Sequence, residues 1–181
     1  MQGYALFTGG QGGWALAGFG QTSLPVRESI VADEASNQCV NQLKQVGLAF
    51  RIWAVDNEGR YPFNVSTNGG GTRELCVPGK DGFDVNAVAH FRVMSNELGD
   101  IRFLVCPADA SKRPAYSFGN LQPANVSYLV RSGTNIDETN ADEVLARCPI
   151  HGHVLMCDGT VQKGAVKEPG HATPPHAGGE R

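Results

Sequence analysis

The sequence predicts an α+β fold, in which one long helix packs on a small antiparallel sheet. Three observations carry that expectation. An apolar stripe at helical spacing runs through residues 31–53. Short apolar runs separated by turn residues fill the second half of the chain. An Asp158-Gly159 pair between two such runs is a strong signal for a tight hairpin. A single helix followed by a meander of short strands is the α+β pattern.

The chain divides into four stretches. Residues 1–27 mix glycine with aromatic residues, 28–58 read as the long helix, 59–166 as a globular head, and 167–181 as a flexible tail rich in Pro and Gly. In the helix, Val31, Ala35, Cys39, Leu43, Val46, Phe50 and Trp53 succeed one another at steps of three or four, which places them on one face. Glu28, Asp33 and Glu34 lie early, and Lys44 and Arg51 late, as the helix dipole prefers. Gly59 and Pro62 end the pattern. A rod of this length outruns a small head, so its first half is expected to pack on something else, whereas Phe50 and Trp53 are expected to be buried against the sheet.

The head opens with glycine-rich loops at 68–71 and 79–82. Val88, Phe91, Met94 and Leu98 then predict a second helix over 86–98. Strands are expected at 102–105, 127–130, 143–146 and 153–157, with 160–163 returning after the hairpin.

Composition removes several function classes. The net charge is −3, and no basic patch suggests a nucleic-acid partner. No glycine-rich loop leads into Lys-Ser or Lys-Thr, so the phosphate cradle of nucleotide-binding enzymes is missing. Residues 1–26 carry no charged side chain, yet seven of the first twenty residues are glycine. Glycine costs about 1 kcal/mol per helical position, so this stretch does not read as a spanning helix. Tyr4, Leu6, Trp14, Leu16 and Phe19 make it too apolar for an inert linker. The expectation is that this segment docks on a neighbouring subunit, as a strand added to a sheet edge does.

The chemistry-bearing residues cluster late in the chain. Cys148-Pro149-Ile150-His151-Gly152-His153, with Cys157 beyond and Cys106-Pro107-Ala108-Asp109 upstream, offers metal-ligand types. A zinc site commonly takes two knuckles, and only Cys148 to His151 has that spacing. The plainer reading is a disulfide with polar histidines at strand ends. No Gly-x-Ser-x-Gly elbow is present, and although Cys157 and His153 mimic a nucleophile–base pair, no motif supports them. Asp81, Asp84, Asp137, Glu138, Asn140, Asp142 and Glu143 supply hard oxygens of the kind calcium takes, without a regular calcium-loop spacing. No cofactor is therefore expected, with calcium the one ion left open.

The segment from Cys39 to Pro62, with Asp56-Asn57-Glu58-Gly59-Arg60-Tyr61-Pro62 at its end, resembles the helix-to-loop junction of type IV pilin-like proteins and of the pseudopilins of type II secretion, especially those abundant in verrucomicrobial and planctomycete genomes. Phe103-Leu104-Val105-Cys106-Pro107-Ala108-Asp109 is similar to the Cys-Pro-x-Asp strand of that family, Val126-Ser127-Tyr128 to its next strand, and 148–161 to its closing His…Asp-Gly hairpin. The likeness covers residues 37–163. Residues 1–36 depart from it, lacking the leader and the apolar Phe-Thr-Leu-x-Glu segment with which such precursors open. The resemblance implies a pilin-like fold and a structural, non-enzymatic subunit of an extracellular filament. Its partners would be copies of itself or other pilin-like subunits, with no small-molecule substrate.

Five cysteines favour an oxidising, extracytoplasmic compartment, and their odd number leaves at least one thiol unpaired within the chain. Cys106 and Cys148 each begin a Cys-Pro pair beside an expected strand and are expected to form a disulfide. Cys157 is expected to be a buried, inert thiol. The alternative to a filament subunit is a soluble extracytoplasmic module that binds a metal or another ligand through 148–157.

Overall fold

The computed structural model describes residues 24–164, so the docking residues Tyr4, Leu6, Trp14, Leu16 and Phe19, and the tail 167–181, lie outside the described residues. The architecture is α+β, with a long helix and a four-stranded antiparallel sheet. Helix α1 spans Leu24–Val55, 32 residues, or about 48 Å at 1.5 Å per residue. It starts earlier than predicted, because Pro25 falls in the first turn, where a missing N–H costs nothing. It stops where the Ala54 carbonyl accepts the N–H groups of Asn57 and Gly59, both at 2.9 Å. Glu58 and Gly59 there take positive φ of 58° and 75°, reversing the chain.

Cys39, Leu43, Val46, Phe50 and Trp53 of the stripe are buried. Ala35 is only half-buried and Val31 is 63% exposed. The stripe therefore meets the head only from its third member on. Ser36, bonded to His153 at 3.0 Å, and Asn37, bonded to Lys163 at 2.8 Å, mark where that contact begins.

After α1 the chain makes short 3₁₀ turns at Pro62–Asn64, Thr67–Gly69 and Arg73–Leu75. The second predicted helix appears as α2, Ala87–Val93, and α3, Ser95–Leu98, broken at Met94. All four of its predicted apolar residues are buried. The strand expected at 102–105 is instead a 3₁₀ turn, Ile101–Leu104. Asp100 causes this: its carboxylate accepts the Arg102 N–H at 2.9 Å and pairs with the Arg102 guanidinium at 2.6 Å, curling the chain. One sheet-like bond survives, from the Ser127 N–H to the Leu104 carbonyl at 2.9 Å.

The sheet is a meander of β1 (Leu129–Val130), β2 (Val144–Arg147), β3 (Val154–Met156) and β4 (Val161–Gln162), each antiparallel to the next. Strands are shorter than predicted. At 127–128 the side chains are drawn to Asp109 and Gln42, and a register shift interrupts β2 between Val144 and Ala146. The β3–β4 hairpin turns at Asp158-Gly159 as expected. Asp158 Oδ1 accepts the N–H and hydroxyl of Thr160 at 2.8 and 2.7 Å, and Gly159 adopts φ 85°.

Helix α1 packs on β3 and β4 through Gly47, where a Cβ would lie 2.7 Å from Leu155 Cδ1. Phe50 is buried, but its ring neighbours come from outside the sheet: Tyr61, Phe63 and Phe91 have centroids 5.4, 6.0 and 6.2 Å away. The loop after α1 and helix α2 thus supply the aromatic half of the core, and the sheet supplies Leu145, Ala146 and Leu155.

Candidate metal centre

Three distant parts of the chain converge on one buried cluster of Cys39, Cys106, Cys148 and His151. Cys39 projects from the buried face of α1. Cys106 follows the 3₁₀ turn at Ile101–Leu104, and Cys148 with His151 forms the turn leaving β2. The three sulfurs and one imidazole nitrogen all lie within 4.8 Å of one another. His151 Nδ1 sits 3.3 Å from Cys106 Sγ and 3.9 Å from Cys148 Sγ. All three cysteines are buried and His151 is half-buried.

Local hydrogen bonding holds each ligand in place. The His151 N–H donates to Cys148 Sγ at 3.4 Å, and the Ile150 N–H also reaches that sulfur. The turn closes through the Gly152 N–H on the Cys148 carbonyl at 2.9 Å, with Gly152 at φ 70°. In Cys106-Pro107-Ala108-Asp109 the Ala108 N–H points to Cys106 Sγ, and the Asp109 N–H bonds the Cys106 carbonyl at 2.9 Å. The Asp109 carboxylate accepts from Ser127 at 2.8 Å and Ser111 at 2.6 Å, and Ser127 Oγ in turn accepts the Cys106 N–H at 3.0 Å. Burial opposes the charge on Asp109, but those serine bonds outweigh it and hold the carboxyl below its usual range. Tyr128 donates its hydroxyl to Gln42 Oε1 at 2.9 Å and lies 3.7 Å from Cys39 Sγ.

The sulfurs share charge unequally. Hydrogen bonds from the Cys106 and Cys39 thiols, helped by the two backbone amides, hold Cys148 far below the ordinary thiol range. The same bonds push Cys39 up, and Cys106 up to about 11.

Of the residues singled out in the sequence, Cys148 and His151 come together as a knuckle would require, and Cys106 joins them. The expected Cys106–Cys148 pair is thus brought close, but all five cysteines are free thiols. His153 points away. Its Nδ1 accepts the Gly164 N–H at 3.0 Å, so Nε2 carries the proton and donates to Ser36 Oγ at 3.0 Å. Its ring stacks on His151 at 5.1 Å and fixes that ring's orientation. Cys157 is buried elsewhere, and burial pushes its thiol up to about 11, so no nucleophile–base pair forms with His153. Cys39 is the member of the cluster that the sequence does not single out, because its place on the apolar stripe accounts for it already. The signal available was that the Cys148–His151 knuckle offers two donors, with Cys106 the further sulfur in a Cys-Pro pair, which leaves a four-donor set one short.

A second group, Cys76, Asp84 and His90, is internally satisfied. Asp84 accepts from the amides of Val77 and Asn86 at 3.0 and 2.7 Å, from Ser132 at 2.7 Å and from His90 Nε2 at 3.1 Å. His90 Nδ1 bonds Thr72 Oγ1 at 2.7 Å. Thr72 and His90 are fully buried, so this Thr-His-Asp row is a clamp within the core rather than a nucleophile open to substrate. The residues considered for calcium are dispersed. Asp137 and Asp81 bond their own loop amides, Glu143 pairs with Arg131 at 3.1 Å, and Asp84 belongs to the clamp. A shallow cleft of about 510 Å³ lies over the sheet, lined by Asp81, Phe83, Arg131 and Arg147 among others.

No family model, curated protein or solved structure matches the chain. No described helix is long and apolar enough to cross a membrane.

Proposed function

We propose that this chain is a non-enzymatic structural subunit of a pilus-like or pseudopilus-like extracellular filament, working by self-association outside the cytoplasm. The observation that carries the reading is the overhang of α1. Its first twelve residues run about 18 Å ahead of Ser36, which bonds His153 of the head at 3.0 Å. On that overhang Ile30 and Val31 are 57% and 63% exposed. Neighbouring large apolar side chains on a protruding helix gain by burial against another subunit, at about 25 cal/mol per Å² of apolar surface. The resemblance of residues 37–163 to pilin-like proteins supports the same reading, since such subunits polymerise through the long helix.

Electron microscopy and sedimentation of the full chain at rising concentration test this. Filaments are expected, and Val31→Asp is expected to abolish them while leaving the circular dichroism unchanged. A protein that stays monomeric at every concentration, or a Val31→Asp variant that polymerises like the parent, overturns the proposal. The Cys/His cluster favours a second reading, a soluble extracytoplasmic metal-binding module. Monomers carrying stoichiometric metal support it.

A further inference from the structure

We propose that Cys39, Cys106, Cys148 and His151 bind one Zn²⁺ in a closed tetrahedral site that fastens the long helix to the head. The inference does not rest on the filament reading, because the site lies wholly within one chain.

Geometry is the first argument. Tetrahedral zinc takes sulfur at about 2.3 Å and imidazole nitrogen at about 2.0–2.1 Å, which puts neighbouring sulfur and nitrogen ligands about 3.5 Å apart. Two of the three sulfur–nitrogen separations, Cys106 to His151 at 3.3 Å and Cys148 to His151 at 3.9 Å, bracket that value. All four donor atoms lie within 4.8 Å of one another, within about 1 Å of the roughly 3.8 Å sulfur–sulfur edge of such a tetrahedron.

The donor set is the second argument. Three soft thiolates with one imidazole select zinc and disfavour calcium, magnesium and manganese, which prefer oxygen. Four protein ligands fill the coordination sphere, and the sulfurs are buried. No position remains for water or substrate, so the site is structural rather than catalytic. Loading binds the three cysteines as thiolates, and their protons pass to solvent.

The surroundings are the third. Amides of Ile150 and His151 point at Cys148, and that of Ala108 at Cys106, so N–H dipoles offset the negative charge of a Zn(Cys)₃(His) centre. Asp109 and Ser127 lock the Cys106 turn, His153 stacks on His151, and Tyr128 stands beside Cys39. Such outer contacts orient ligands and tune affinity.

The consequence is mechanical. Cys39 belongs to α1, Cys106 to the turn after Ile101–Leu104, and Cys148 with His151 to the β2–β3 connection. One ion therefore ties together three elements that the chain brings from far apart. It does so close to where the overhang begins, fixing the direction in which the helix leaves the head.

The test uses the full chain, purified under reducing conditions and exposed to ZnCl₂ alone. Elemental analysis is expected to give one zinc per chain after gel filtration. Replacement by Co²⁺ is expected to give the strong visible bands of tetrahedral thiolate cobalt. Cys148→Ser and His151→Ala should each lose the bound zinc, and Cys76→Ala, which alters the other cysteine-containing group, should keep it. Tyr128→Phe is expected to weaken zinc by about 10-fold. Should Cys148→Ser fail to fold, the cobalt spectrum of the unaltered chain decides, since its sulfur charge-transfer bands require thiolate ligands. The proposal is overturned by a protein that takes up no stoichiometric zinc while its thiols remain reduced. It is equally overturned by cobalt bands of octahedral, oxygen-ligated type, by zinc retained in both ligand variants, or by a Cys106–Cys148 disulfide that persists in the folded protein after mild reductant.

Discussion

Phe50 offers the sharpest test of how the core is built. Its ring is fully buried on α1 and meets Tyr61, Phe63 and Phe91 at centroid distances of 5.4 to 6.2 Å, two of them edge to face. Truncating a buried Phe to Ala costs about 3–5 kcal/mol through lost transfer energy and the cavity left behind. Each aromatic pair adds about 0.5–1.5 kcal/mol beyond area burial, and with three partners Phe50→Ala belongs at the top of that range. A domain of this size is stable by about 5–15 kcal/mol, so a milder substitution gives the more readable transition. Phe50→Leu retains much of the volume while losing the ring contacts, and about 1–2 kcal/mol is expected. Ile52, two residues on and 43% exposed, is the control; Ile52→Ala should change stability by less than about 1 kcal/mol. Urea unfolding of the three variants, followed by tryptophan fluorescence at unchanged m-value, measures the differences. Equal losses for Phe50→Leu and Ile52→Ala would refute the placement of Phe50 at the junction of helix, loop and α2.

Other expectations follow from the same structure. Gly47→Ala gains about 1 kcal/mol of helix propensity, but its Cβ would lie 2.7 Å from Leu155 Cδ1. Overpacking of that kind costs about 1–3 kcal/mol, so thermal unfolding should show net destabilisation; a raised Tm would mean that α1 and β3 are not in close contact. Trp53→Ala should lose about 3–5 kcal/mol, as a buried aromatic does. Burial opposes the charge on Asp84, but bonds from His90, Ser132 and the amides of Val77 and Asn86 hold its carboxyl well below the usual range. Its contribution is therefore fully present above about pH 4, the unfolded value, and is lost as pH falls through the lower folded value. Asp84→Asn should be less stable at pH 7 and show a flatter acid limb, and superimposable acid limbs for the two proteins count against the clamp. Deleting residues 1–27 is expected to abolish polymers visible by electron microscopy, and polymers that persist unchanged remove the segment from assembly.

What the residues by themselves determined was local and periodic. Steps of three and four from Val31 to Trp53 are enough to make a helix, because neighbours on a helix face are set by sequence distance alone. Asp158-Gly159 is enough to make the hairpin, because its side-chain acceptor and its freedom at positive φ act within four residues. The apolar runs around 127–130, 143–146, 153–157 and 160–163 correctly mark the strands, though not their ends. Those depend on where side chains such as Ser127 and Tyr128 find partners in other elements.

Only the tertiary structure decided the rest. Residues 102–105 carry strand-like composition, and the Asp100–Arg102 pairing curls them into a 3₁₀ turn. His153 resembles a ligand in sequence and proves to be a bridge between Ser36 and Gly164, while its neighbour His151 faces the sulfurs. Above all, Cys39 reads as one more apolar residue on a stripe until the chain folds. A ligand set drawn from a helix, a turn and a hairpin has no characteristic spacing, since the distances among its members are set by how α1 lies across the sheet. In sequence the two Cys-Pro pairs read as disulfide partners and only Cys148–His151 has a knuckle's spacing; that Cys39 lies beside them became visible only once packing brought the helix over them.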